Sequence, residues 1–108
     1  MSITRKFRET VLARARDDRR FREAMLTEAV NELLAGDLQA GKAMLRDYVN
    51  ATVTFDGLAR ALRKPSKSLQ RMLGPAGNPT AESIFGIIKV LQESERLRLQ
   101  VKAAKKAA

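Results

Sequence analysis

The sequence predicts an all-α domain of five to six helices around a central helix-turn-helix, with one short C-terminal β-strand as an addition. Three observations predict this. Apolar residues recur at three- and four-residue spacing along most of the chain. They are mostly Leu, Ala and Met, which keep their rotamer freedom in a helix, while Val, Ile and Thr are comparatively few. Turn residues fall between the periodic stretches, most densely in GPAGNP at residues 74–79. The 108 residues make one domain, able to bury a modest core.

In the first helix, residues 3–17, Phe7, Val11 and Ala15 repeat every four positions with Leu12 beside them. Arg5, Lys6, Arg8, Glu9, Arg14 and Arg16 take the other faces, as on a surface helix or a basic arm touching phosphates. Asp17 and Asp18 stop it and offer carboxylates to the free N–H groups of the next first turn. Residues 19–35 then align Phe21, Met25, Ala29 and Leu33, widened by Leu26, Val30 and Leu34. That stripe is broad enough for a central packing element, with Arg22, Glu23, Glu28 and Glu32 as its wet edge. Gly36 closes the helix by permitting a left-handed backbone. Asp37 caps a third helix, residues 38–50, carrying Leu38, Ala40, Ala43, Met44, Tyr48 and Val49. Gly41 costs that helix about 1 kcal/mol relative to Ala, so either close packing requires a small residue there or the position tolerates one.

Thr54 caps residues 55–62, whose inward positions are Phe55, Leu58, Ala59 and Leu62. Pro65 disfavours a helical Lys64 and presets the start of a new helix. Ser66 is the N-cap candidate for residues 67–73, where Leu69, Met72 and Leu73 face inward and Lys67, Ser68, Gln70 and Arg71 face out. After the GPAGNP turn, Thr80 caps a last helix in which Ile84, Phe85, Ile87, Ile88 and Leu91 close the core. From Arg96 to Lys102 the period changes to strict alternation, the pattern of a half-buried strand; a helix through the same residues is the alternative. A lone strand in a helical domain has no internal edge to join. It would pair with a second copy or another protein's sheet edge, making Leu97, Leu99 and Val101 the dimerisation candidates. Residues 103–108 read as a frayed basic end.

Composition narrows the function. Cys and His are absent, which removes disulfides, Cys nucleophiles, His acid–base chemistry and the usual zinc ligands. No enzyme, cofactor or metal site is expected. A net charge of +9 favours a polyanionic partner. No apolar run approaches the roughly 20 residues of a spanning helix, and the charged N-terminus lacks the apolar core of a secretory signal, so the expectation is a cytoplasmic protein.

The polar face of residues 66–73 carries the sharpest signal. Between Gly57 and Ala81 there is no acid, but there are five cations: Arg60, Arg63, Lys64, Lys67 and Arg71. Gln bonds adenine and Arg bonds guanine in bidentate fashion, Ser donates or accepts, and Lys suits phosphate. Ser66, Lys67, Ser68, Gln70 and Arg71 are therefore the candidates for reading double-stranded DNA, with Arg60, Arg63 and Lys64 on its phosphates. A helical protein-interaction module without DNA binding, or a binder of anionic membrane surfaces through the N-terminal helix, are the competing readings.

Residues 21–102 resemble the small bacterial XRE/Cro-like helix-turn-helix regulators of the addiction-module antidote family, the HigA-like type II antitoxins. The features that carry the likeness are Gly36-Asp37, the helix pair at 55–62 and 66–73, the GNPT at 77–80, and the Leu97-to-Val101 tail. Lys64-Pro65 stands where this motif commonly has a Gly-containing turn. The resemblance implies a Cro/lambda-repressor-like fold, a homodimer on a palindromic operator, repression of its own operon, and a RelE/ParE-type toxin as partner. The expected organisation is an N-terminal helical extension (1–36), a DNA-binding domain (37–95) and a dimerisation tail with its basic end (96–108), in one folded unit.

Overall fold

The computed structural model describes residues 5–107; the first two residues of the expected first helix, and Ala108, lie outside them. The described residues form six α-helices and no strand: α1 (Arg5–Asp17), α2 (Arg19–Leu34), α3 (Leu38–Ala51), α4 (Thr54–Leu62), α5 (Ser66–Met72) and α6 (Ala81–Glu95).

The expected caps explain most boundaries. Asp18 accepts from the Phe21 N–H at 3.1 Å, Asp37 from Ala40 at 3.0 Å and Thr80 from Ser83 at 3.1 Å, each satisfying a first-turn donor. Gly36 takes φ +84°, the left-handed closure expected after α2. Thr54 caps from within α4, accepting from the Gly57 N–H at 3.3 Å. It does so at φ 67°, an unusual backbone for a β-branched residue. Ser66 departs from expectation. Pro65 occupies the N-cap position of α5, so Ser66 is the first helical residue and its hydroxyl accepts instead from Gln70 Nε2 at 3.0 Å.

One apolar cluster joins five of the six helices. Leu26 and Ala29 of α2, Leu45, Tyr48 and Val49 of α3, Phe55 and Leu58 of α4, Leu69 of α5, and Ile84, Ile87, Ile88 and Leu91 of α6 meet in it, with Leu73 just beyond α5. Gly41 answers the question its sequence position raised. A Cβ there would lie 2.4 Å from Leu33 Cδ2 and 3.3 Å from the Ala29 carbonyl oxygen, so α2 and α3 pack closely and a larger residue would require the Leu33 side chain to move. Helix α1 is peripheral: it buries only Ala15, while Phe7 is 57% exposed.

Three expectations about the core fail. Leu34, at the end of the α2 stripe, is 63% exposed. Phe85 is 67% exposed, because its neighbours Ile84, Ile87, Ile88 and Leu91 already fill the face that α6 turns inward. Arg22 is not on a wet edge. Its guanidinium pairs with Glu95 at the end of α6 and donates to the Ala15 and Arg16 carbonyls at 3.0 Å, tying α1, α2 and α6 together. The Glu95 hydrogen bond holds Arg22 above its ordinary range.

Residues 97–107 carry no helix or strand, so the alternation there builds no ladder within the chain. The physical reason is the lack of a partner edge in an all-helical domain. The alternation is used differently: Leu97 and Leu99 pack against the core, and the Leu99 N–H donates to Gln92 Oε1 at 2.8 Å. Val101 is 79% exposed.

Tyr48 is wholly buried, and its hydroxyl has no hydrogen-bonding partner among the described residues. Burial pushes the phenol up to about 12, helped by the charge of Glu95 and opposed by Arg22. The folded protein thus holds this proton more tightly than the unfolded chain, whose phenol titrates near 10. The stabilisation is complete below about pH 10 and is lost as pH rises through 12, up to about 3 kcal/mol. Tyr48→Phe should remove that alkaline slope and, by deleting an unpartnered hydroxyl, raise neutral-pH stability by about 1 kcal/mol. Tyr48 is the chain's one tyrosine and there is no tryptophan, so tyrosinate absorbance follows it alone. A phenol titrating near 10 in the folded protein would contradict this.

Candidate nucleic-acid interface

Helix α5 has seven residues, far below the roughly 12–15 that make an isolated helix even marginal in water. Tertiary contacts must hold it. Leu69 and Leu73 are wholly buried beneath it, each contributing about 1.5–3 kcal/mol. Helix α4 ends at Arg63, whose left-handed backbone (φ 54°, ψ 46°) supplies the turn geometry that a glycine would otherwise provide. The Lys64 N–H donates to the Ala59 carbonyl at 3.1 Å, and Pro65 at φ −62° then starts α5. The Lys64-Pro65 turn therefore works through Arg63, at the modest cost of a non-glycine residue in that region.

This geometry sorts the expected site residues. Lys67, Gln70 and Arg71 are exposed and line one open groove of about 610 Å³ with Gly74, Pro75, Ala76 and Gly77. Gln70 is held by its bond to Ser66 and also borders a second groove with Arg46, Asn50, Thr54, Phe55 and Asp56. Asp56, one residue outside the acid-free stretch, is thus the carboxylate that lines this second groove. Ser68 is half-buried and lines neither groove. Arg60, Arg63 and Lys64 are exposed on α4 and the turn, outside the first groove.

Among the described residues the ion pairs are Arg5–Glu9, Arg14–Asp18, Arg19–Glu23 and Arg22–Glu95. Arg60, Arg63, Lys64, Lys67 and Arg71 take part in none of them.

Three supporting residues escaped the sequence reading: Gln39, Lys42 and Arg46 of α3. Lys42 is wholly buried, and its ammonium donates to the carbonyls of Gly77 at 2.6 Å and Gly74 at 3.0 Å. Arg46 Nη1 donates to the Leu73 carbonyl at 2.5 Å, and Gln39 Nε2 to that of Pro75 at 3.0 Å. A signal for Lys42 was present, since it falls three residues before Leu45 and seven before Val49, on the inward face.

Among the described residues no helix is long and apolar enough to cross a membrane, and no group of three His, Cys, Asp or Glu could hold a metal ion. Compared with protein-family models, curated proteins and solved structures, the chain shows no significant match.

Proposed function

We propose that the chain is a sequence-specific DNA-binding regulator in which α4 and α5 act as a helix-turn-helix. The observation that carries this reading is the set of five exposed cations on α4, the turn and α5, without ion pairs among the described residues and next to the amide of Gln70. Helix α5 enters the major groove, where Gln70 and Arg71 meet base edges, with Lys67, Ser66 and Ser68 at its margin. Arg60, Arg63 and Lys64 take phosphates. Enrichment of duplexes from a random-sequence pool tests it. Two half-sites spaced about one DNA turn, roughly 34 Å, are expected; a pool that stays random would sink the reading.

That spacing requires a homodimer. Leu97 and Leu99 lean on the protein's own core, which leaves Val101 as the exposed member of the expected dimer set. Val101 lines an apolar groove with Val30, Leu34, Phe85 and Leu99, and the one charge on that groove is Lys102. Two chains of +9 repel wherever their cations meet, so a nearly uncharged face suits a second copy. Phe85→Asp should sediment as a monomer where the parent is a dimer; a dimer that survives the substitution places the contact elsewhere. The resemblance to antidote proteins extends the reading to a type II antitoxin with a RelE/ParE-type toxin. Co-purification with the product of the adjacent gene tests that part, and its failure leaves a regulator without a toxin.

A further inference from the structure

The loop after α5 is gripped from below by α3. Lys42 is wholly buried, and its three ammonium donors meet three carbonyls: Gly77 at 2.6 Å, Gly74 at 3.0 Å and Pro75 at 3.5 Å. Arg46 holds the Leu73 carbonyl and Gln39 a second bond to that of Pro75. An ammonium is expensive to take out of water, and a methionine would fill similar volume without that cost, so packing alone does not explain a cation here. A cation does two things an apolar side chain cannot. It fixes the loop through directional bonds, and it offsets the negative carbonyl ends gathered just past α5. Those carbonyls belong to the residues that wall the groove of Lys67, Gln70 and Arg71.

We infer that Lys42 is a positioning residue of the DNA interface, an inference that rests on the regulator reading above. It sets the wall at residues 74–77 and, through the chain they share with α5, the placement of Gln70 and Arg71. It touches no nucleic acid itself. The test compares the full-length parent with Lys42→Met on a duplex enriched by the parent from a random pool and on an unselected duplex. Both are titrated from 50 to 200 mM salt at a temperature where circular dichroism shows both proteins folded. Lys42→Met should bind the selected duplex roughly ten- to a hundredfold more weakly, with unchanged affinity for the unselected one. Its salt slope should match the parent's, because no phosphate contact is removed.

Lys42→Met takes the donor from the Gly77 carbonyl and one of two from those of Gly74 and Pro75, and it can fail to fold, so Gln39→Ala serves as a second variant. Gln39 is exposed, and its loss removes one bond to Pro75. A loss of roughly three- to tenfold on the selected duplex is expected, again at constant slope. Parental affinity in whichever variant folds overturns the inference. So does an equal loss on both duplexes, or a slope lower by about one, which would make Lys42 a phosphate ligand. If the parent enriches no duplex at all, the regulator reading falls first and takes the inference with it.

Discussion

Gly77→Ala is expected to lower stability by about 3 kcal/mol or more, the largest loss from any single added methyl group. A Cβ at residue 77 would lie 2.1 Å from the Arg71 carbonyl oxygen and 2.4 Å from that of Met72. Both are backbone atoms at the end of α5, so no side chain can rotate away. The turn would have to open, drawing the Gly77 carbonyl from Lys42 and its N–H from the Gly74 carbonyl, which it reaches at 3.0 Å. Overpacking costs about 1–3 kcal/mol and an unsatisfied buried group about the same again. Gly74→Ala is the control: its nearest contact would be the Gln70 carbonyl at 3.3 Å, a distance that a shift of a few tenths of an ångström relieves. Urea denaturation of both variants measures the difference. Equal midpoints would mean that the loop is not folded against α5 as described.

Glu95→Ala should cost about 2–3 kcal/mol. Glu95 and Arg22 keep only 14% and 19% of their side-chain surface exposed, so water does little to screen the pair. Removing the carboxylate leaves the Arg22 guanidinium held by the Ala15 and Arg16 carbonyls alone, and it loosens the end of α6 from α2. The exposed pair Arg19–Glu23, one turn apart on α2, provides the contrast: Glu23→Ala should change stability by about 0.5 kcal/mol or less. Comparable losses in the two variants would contradict the clamp.

Local chemistry made much of the helical layout legible. Asp18, Asp37, Thr80 and Gly36 sit at helix ends because their side chains or backbone freedom satisfy needs that arise within a few residues, and those needs can be read in one dimension. Phe85, Arg22 and Lys42 were misjudged or missed because their roles depend on distant partners. Whether Phe85 is core or surface depends on how α6 rotates against α4, since it lies between the buried Ile84 and Ile88 on one side and the exposed Glu82 and Lys89 on the other. Arg22 lies next to an apolar stripe, and Glu95, its partner, is 73 residues away. Lys42 falls on the inward face of α3, but nothing adjacent to it announces that residues 74–77 return to cover it. The alternation at residues 96–102 was read from its period, yet an extended segment lying on a helical core produces the same in-and-out pattern as a strand. In the candidate interface, Lys67, Gln70 and Arg71 were identified from the face of one helix, and they do share a groove. Ser68 was placed by that same face, but it is half-buried, since a seven-residue helix wedged into the core keeps little width for solvent.

Equilibrium titration of the selected duplex at several salt concentrations tests the regulator reading most directly. With about six phosphates engaged, affinity should fall about a thousandfold between 50 and 200 mM salt. Arg71→Ala should weaken binding ten- to a hundredfold and relax preference at one base pair, while Lys64→Ala should lower the salt slope by about one with sequence preference intact. Binding indifferent to salt and to both substitutions would contradict the proposal that α4 and α5 hold DNA.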